Sequence, residues 1–195
     1  ITEIQALEKL TKDKECLEIV LMIFPELKNI KIFSKLNLYK KDVLKEEDFI
    51  FLLSLMIIDN SDNTEYFLYK FNISKKNHMR IKIIYNFYKE KITLKTFTKN
   101  RMNKLLYFDG RQAVLDIINF QIVKSKSADK SLMDLKKTYE NKIIPTMPVG
   151  ADILMTKYKI SKGKQLGVKL KMIESTWVEN NFQISDQQVE NIANS

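Results

Sequence analysis

Glycine, proline, cysteine and histidine are nearly missing from this chain, at four, three, one and one among 195 residues. So few turn-forming residues argue against a many-stranded sandwich or barrel and for helices. The lone Cys16 has no intrachain disulfide partner, and a single histidine, His78, leaves no ordinary zinc-ligand set; a reducing compartment is expected. The longest strongly apolar run, Phe49 to Ile58, is too short to span a bilayer, and no basic patch precedes an apolar stretch as in a signal peptide. A cytoplasmic protein with no membrane partner is expected. The chain opens on Ile1, with no segment leading into its first helical pattern, and reads as part of a longer chain.

What is abundant is apolar and basic. Hydrophobic residues make up 45%, far from a disordered composition, and the length suits one substantial core or two small ones. The net charge of +9 is uneven: residues 1–60 hold 9 basic and 11 acidic groups, residues 61–140 hold 17 and 8, and residues 141–195 hold 7 and 5. A localised basic surface favours polyanions through counterion release. Thirty lysines against three arginines, with 24 isoleucines and 15 asparagines, also match drift in an AT-rich genome, so charge alone leaves both readings open.

Apolar spacing of three and four predicts two short helices over Ile4 to Phe24, parted near Thr11 to Lys14. A turn or new helix follows at Pro25, then a charged entry, Lys40 to Asp48, into an apolar helix, Phe49 to Ile58. "DNSDNTEYF" reads as a loop with capping residues at Ser61 to Thr64. Ser74 caps a long helix whose face carries Met79, Ile83 and Phe87, and Thr98 or Asn100 opens another that runs to about Tyr107. Asp109-Gly110 breaks that pattern before Arg111 to Val123, predicting a hairpin. "SKSADKS" is a polar linker, followed by a helix over Leu132 to Lys142. The fold class is all-α, an irregular array of short helices and hairpins, divided as 1–124, a connecting 125–148 and a hairpin tail 149–195.

Three of the four glycines (Gly150, Gly163, Gly167) and two of the three prolines (Pro145, Pro148) fall within 23 residues. Val149 to Tyr158 and Gln165 to Glu179 read as the two arms of a hairpin, with Leu166, Leu170, Ile173 and Trp177 on one stripe. Gly163 sits where the second arm begins, so its free amides and positive dipole end suit a phosphate, with Lys162 and Lys164 adding charge. Gly167, one turn inside, costs about 1 kcal/mol against alanine and implies a closely packed helix or a bound sugar-phosphate backbone.

The stretch "PVGADILMTKYKISKGKQLGVKLKMIESTWVENNF" resembles the C-terminal tail of bacterial CCA-adding enzymes, the tRNA nucleotidyltransferases of the poly(A) polymerase family, whose pattern is G-x-D-L followed by G-x-x-x-G-x-x-L and a tryptophan. "RMNKLLYFDGRQAVLD", Arg101 to Asp116, is similar to a second block, R-x-x-x-L-Y-x-x-G-R/P-x-A-x-x-D, from the same helical region. The likeness covers about Arg101 to Phe182. It implies a tRNA-gripping neck, body and tail, with catalysis in an N-terminal α/β head. That head needs a G-S/G-x-x-R segment and a D-x-D pair for two Mg²⁺ ions; neither occurs here, and "EEDFIF" lacks the arginine of the family's nucleotide-reading E-D-x-x-R segment. The resemblance therefore implies tRNA as partner and no nucleotide addition by this chain. Mg²⁺ and CTP or ATP would belong to a head on the same longer chain or on a separate polypeptide.

Recognition of A-form RNA rests on shape and phosphates, because side chains cannot enter its deep groove. The candidate contacts are Lys99, Arg101, Lys104 and Arg111 from the basic hairpin and Lys162, Gly163, Lys164 and Gln165 from the helix start, with no catalytic or metal-binding residue. Arg111 suits a bidentate phosphate contact or a salt bridge to Asp116 or Glu140. His78 reads as solvated or partly buried, Trp177 as core from its place on the stripe although its ring could stack on a base, and Asp152 as a helix-capping or hairpin-fixing acid rather than a metal ligand. Phe67, Tyr69, Phe71, Tyr85, Phe87 and Tyr88 flank basic residues at spacings that mostly fit helix packing. From another class of function, the chain reads as a stand-alone helical module that docks a protein through an apolar stripe.

Overall fold

A computed structural model describes residues 2–59, 61–89 and 96–195. Among these it contains α-helices and one 3-10 helix and no strand, so the all-α expectation holds. The chain divides into two compact units, one formed by Ile1–Ile92 with Leu115–Glu140, the other by Thr93–Val114 with Asn141–Ser195.

In the first unit, α1 (Glu3–Lys12) and α2 (Lys14–Ile23) meet where expected, because Asp13 ends one and caps the other, accepting the Cys16 amide at 3.0 Å. The 3-10 helix Ile30–Lys35 and α3 (Leu38–Leu44) lead into α4 (Phe49–Ile57). Asp48 caps α4, accepting the Phe51 amide at 3.0 Å, and the helix, apolar all round, is buried from Phe51 to Ile57. It packs against the 3-10 helix and α6 (Lys75–Lys89), where Ile30, Phe33, Ile81 and Ile84 are buried; Ile117 and Ile118 of α8 (Gly110–Lys124) and Leu132 and Tyr139 of α9 (Lys130–Glu140) are buried in the same unit.

Two expectations need correction here. The cap expected within Ser61 to Thr64 is Asp62, without a side-chain cap bond, but "DNSDNTEYF" turns helical at Asn63, starting α5 (Asn63–Lys70), and is a loop only up to that point. Its polar residues point inward: Asn63 Nδ2 donates to the carbonyls of Glu26 and Ile57 at 2.8 Å each, and Thr64 Oγ1 to Ile57 at 3.1 Å. Buried and bonded, they satisfy carbonyls that would otherwise be orphaned. On α6 the buried face is Ile81, Ile84, Tyr85 and Phe87, while Met79 is 51% exposed.

The first unit also holds a polar cluster, largely buried except at Asp48. Asp116, fully buried, accepts two bonds from Arg80, Nε at 2.7 Å and Nη2 at 2.9 Å; Arg80 Nη1 reaches Asp48 at 2.5 Å, and Glu47 lies 3.8 Å away. Asn119 Nδ2 donates to Glu47 at 2.5 Å. Three carboxylates thus gather on one guanidinium. Burial pushes the Glu47 carboxyl up to about 7, and Asp116 pushes it the same way, against the Asn119 hydrogen bond and the charges of Arg80 and Lys136.

In the second unit, α7 (Lys99–Phe108) begins at Thr98, whose side chain accepts the Arg101 amide at 3.3 Å. It packs against α11 (Lys164–Glu179). Tyr107 and Trp177 meet edge to face with centroids 5.4 Å apart, and Tyr107 Oη donates to Glu174 at 2.6 Å, which lifts the phenol to about 12. Trp177, 2% exposed, is core as expected. A second cluster joins α10 (Ala151–Lys157), α11 and α12 (Asp186–Asn194) through Leu154, Ile160, Leu166, Ile173 and Val189.

Candidate nucleic-acid interface

The turn between α10 and α11 is assembled from unusual backbone. Lys159 adopts φ +57°, and the next amide, Ile160, bonds back to the Leu154 carbonyl at 3.2 Å, so the chain reverses and drops Ile160 into the core. Ser161 and Lys162 stay exposed. Gly163 follows with φ +152° and ψ −163°, a region essentially closed to L side chains. It opens α11 with no side-chain cap, and the first internal bond runs from the Gly167 amide to the Gly163 carbonyl at 3.3 Å. The first-turn amides of a sixteen-residue helix thus point outward at its positive end.

Lysines crowd this turn. Between Asp152 and Glu174 the chain carries six lysines and no acid. Lys157, Lys159, Lys162, Lys164 and Lys171 are exposed, and among the described residues none forms an ion pair. Lys169 differs: 5% exposed, its Nζ donates at 3.0 Å to the Ile192 carbonyl in the last turn of α12. Gly167 is exposed, and a Cβ built there meets nothing within 4 Å, so no neighbouring helix packs on it and the packing expectation is corrected. Asp152 is exposed in the first turn of α10, whose cap, Gly150, lacks a side-chain bond; the capping role expected of Asp152 is absent.

The other candidates lie on α7 and at the start of α8. Lys99 is exposed and Arg101 half-buried. Lys104 pairs with Glu179 at 3.2 Å, and Asn100 Nδ2 donates to the Glu179 carbonyl. Arg111 Nη2 donates to the Lys142 carbonyl at 3.0 Å, while Asp116 belongs to Arg80 and Glu140 lies 3.7 Å from Lys136; neither proposed salt bridge of Arg111 forms. Lys142 Nζ donates to Asn103, and its ammonium is held below its ordinary value first by burial and then by the charge of Lys99.

The structure therefore brings Lys162, Gly163, Lys164 and Gln165 into one turn, and Lys99, Arg101 and Lys104 onto one helix. The two groups stand apart. Residues 100 to 107 run alongside the C-terminal half of α11, whereas Lys164 lies about 22 Å up its axis from Glu179 at ~1.5 Å per residue. Lys157, Lys159 and Lys171 are not among the candidates named from the sequence; the signal for them is the acid-free stretch between Asp152 and Glu174. No group of three His, Cys, Asp or Glu side chains among the described residues is placed to hold a metal ion, and no described helix is long and apolar enough to cross a membrane. No protein-family model, curated protein or solved structure matches the chain.

Proposed function

We propose that the chain is a tRNA-binding helical region of a CCA-adding nucleotidyltransferase, gripping tRNA phosphates while nucleotide addition takes place on a head outside this sequence. The observation that carries the reading is the α10–α11 turn: four exposed lysines, Lys157, Lys159, Lys162 and Lys164, without acidic partners beside the uncapped start of α11. Unneutralised cations next to outward amides suit phosphate oxygens. The two ordered blocks, Arg101 to Asp116 and Pro148 to Phe182, support the assignment to this enzyme family. On this reading Lys162, Gly163, Lys164 and Gln165 hold phosphate, while Lys99, Arg101, Lys104 and Arg111 form a separate basic group.

Changing Lys162 and Lys164 to alanine weakens tRNA binding while circular dichroism stays helical; unchanged binding sinks the role of this turn. Incubation with tRNA, CTP, ATP and Mg²⁺ gives no 3′ extension, and any extension overturns the separation of grip from chemistry. A second reading, a protein-docking module, is favoured by α2, where Ile19, Met22 and Ile23 are 57%, 81% and 59% exposed. Absence of tRNA binding at about 50 mM salt, where phosphate contacts are strong, selects that reading.

A further inference from the structure

From Tyr66 to Lys89 the chain contains no acidic residue. Several cations of this stretch are satisfied internally: Lys70 pairs with Glu26 at 2.6 Å, Arg80 with Asp116 at 2.7 Å and Lys89 with Glu65 at 3.5 Å. Lys75 and Lys82 are exposed and, among the described residues, form no ion pair. Seven residues apart, they stand two turns from each other on one face of α6, about 10 Å along its axis. Beside that face α5 presents Tyr69, 90% exposed, although its spacing had suggested packing. Tyr69 and Lys82 line one open groove together with Leu68, His78, Tyr85 and Glu65, and the charge of Glu65 is already matched by Lys89.

A bare aromatic ring beside unneutralised cations, in an acid-free stretch, matches what unpaired nucleotides need: a flat platform for the base and positive charge for the phosphates. We propose that the α5–α6 face binds single-stranded nucleic acid, with Tyr69 stacking on a base and Lys75 and Lys82 neutralising flanking phosphates. A duplex keeps its bases stacked inside and leaves the Tyr69 platform unused. The proposal is independent of the α10–α11 turn, which offers amides and lysines and no exposed ring of this kind.

The test is fluorescence anisotropy on the whole chain with labelled oligouridine RNA of roughly 12 nucleotides, its DNA counterpart and a blunt RNA duplex. Either single strand should bind more tightly than the duplex. Tyr69→Ala should weaken single-strand binding on the order of ten-fold, with helicity unchanged, whereas Tyr69→Phe should bind like the parent. Lys75→Ala with Lys82→Ala should flatten the slope of log K against log[salt] by about 1.4. Undiminished binding by Tyr69→Ala, or equal affinity for duplex and single strand, overturns the proposal. The Lys162→Ala/Lys164→Ala variant should keep the Tyr69 dependence; loss of single-strand binding there assigns it to the α10–α11 turn instead, which also overturns the proposal. Because the tRNA titration of that turn is read with Tyr69 intact, failure of one proposal is distinguishable from failure of the other.

Discussion

Gly163 offers a test in which an added methyl meets backbone energetics alone. At φ +152° and ψ −163° an L side chain is strained, yet a Cβ at this position has no heavy atom within 4 Å. Gly163→Ala should therefore destabilise through the backbone alone, by about 1–3 kcal/mol, partly offset by ~0.4–1 kcal/mol from the stiffer unfolded chain. The middle of these ranges leaves a net cost of about 1.3 kcal/mol, which for a chain of this length is a fall of roughly 3–5 °C in Tm. Inverting the backbone angles gives an extended conformation open to any L residue, so D-alanine fits the same site. A semisynthetic protein with D-alanine at 163 should match or exceed the parent. The single tryptophan, Trp177, buried on α11 itself, reports unfolding of this unit by fluorescence during heating. An L-alanine variant as stable as the parent, or a D-alanine variant as unstable as the L form, would refute the reasoning.

Three further outcomes follow from the buried polar groups and the core. Glu47, raised from 4.5 to about 7 in the folded chain, keeps its proton longer there than when unfolded, so stability is full below about pH 4.5 and lost as pH rises toward 7, by on the order of 3 kcal/mol; Glu47→Gln should remove that slope in denaturant titrations across the window. Arg80→Met leaves Asp116 buried without its cation and should cost about 3–5 kcal/mol, much of it recovered by Asp116→Asn in the double variant. Tyr107→Phe deletes the 2.6 Å bond to Glu174 and should cost about 1.5 kcal/mol by denaturant midpoint, with the Trp177 contact kept.

How much was legible depends on how local the cause was. Ser74 and Thr98, both expected as openers, and Asp13, within the expected break, mark helix starts because a cap acts within three residues, and each side chain accepts an amide. Trp177 falls on a stripe of period 3.6 and is buried. The cap position at Ser61 to Thr64 is legible, but that Asn63 and Thr64 open α5 and turn inward is not, because they bond carbonyls up to 37 residues away, and spacing alone cannot reveal such partners. The Arg80–Asp116 pair, 36 residues apart, is hidden for the same reason. In the candidate site, Lys162 to Gln165 share a turn because they are contiguous. That Lys104 would turn to Glu179, at the far end of α11, was set by the Tyr107–Trp177 packing and by no feature near Lys104 in sequence.

The central claim is that the lysines of the α10–α11 turn hold RNA phosphates, and the salt dependence of tRNA binding tests it most directly. If Lys157, Lys159, Lys162 and Lys164 each neutralise one phosphate of a duplex arm, log K should fall against log[salt] with a slope of about −3.6, and replacing all four by alanine should remove most of it. A slope near zero, or one that survives the four replacements intact, contradicts the account.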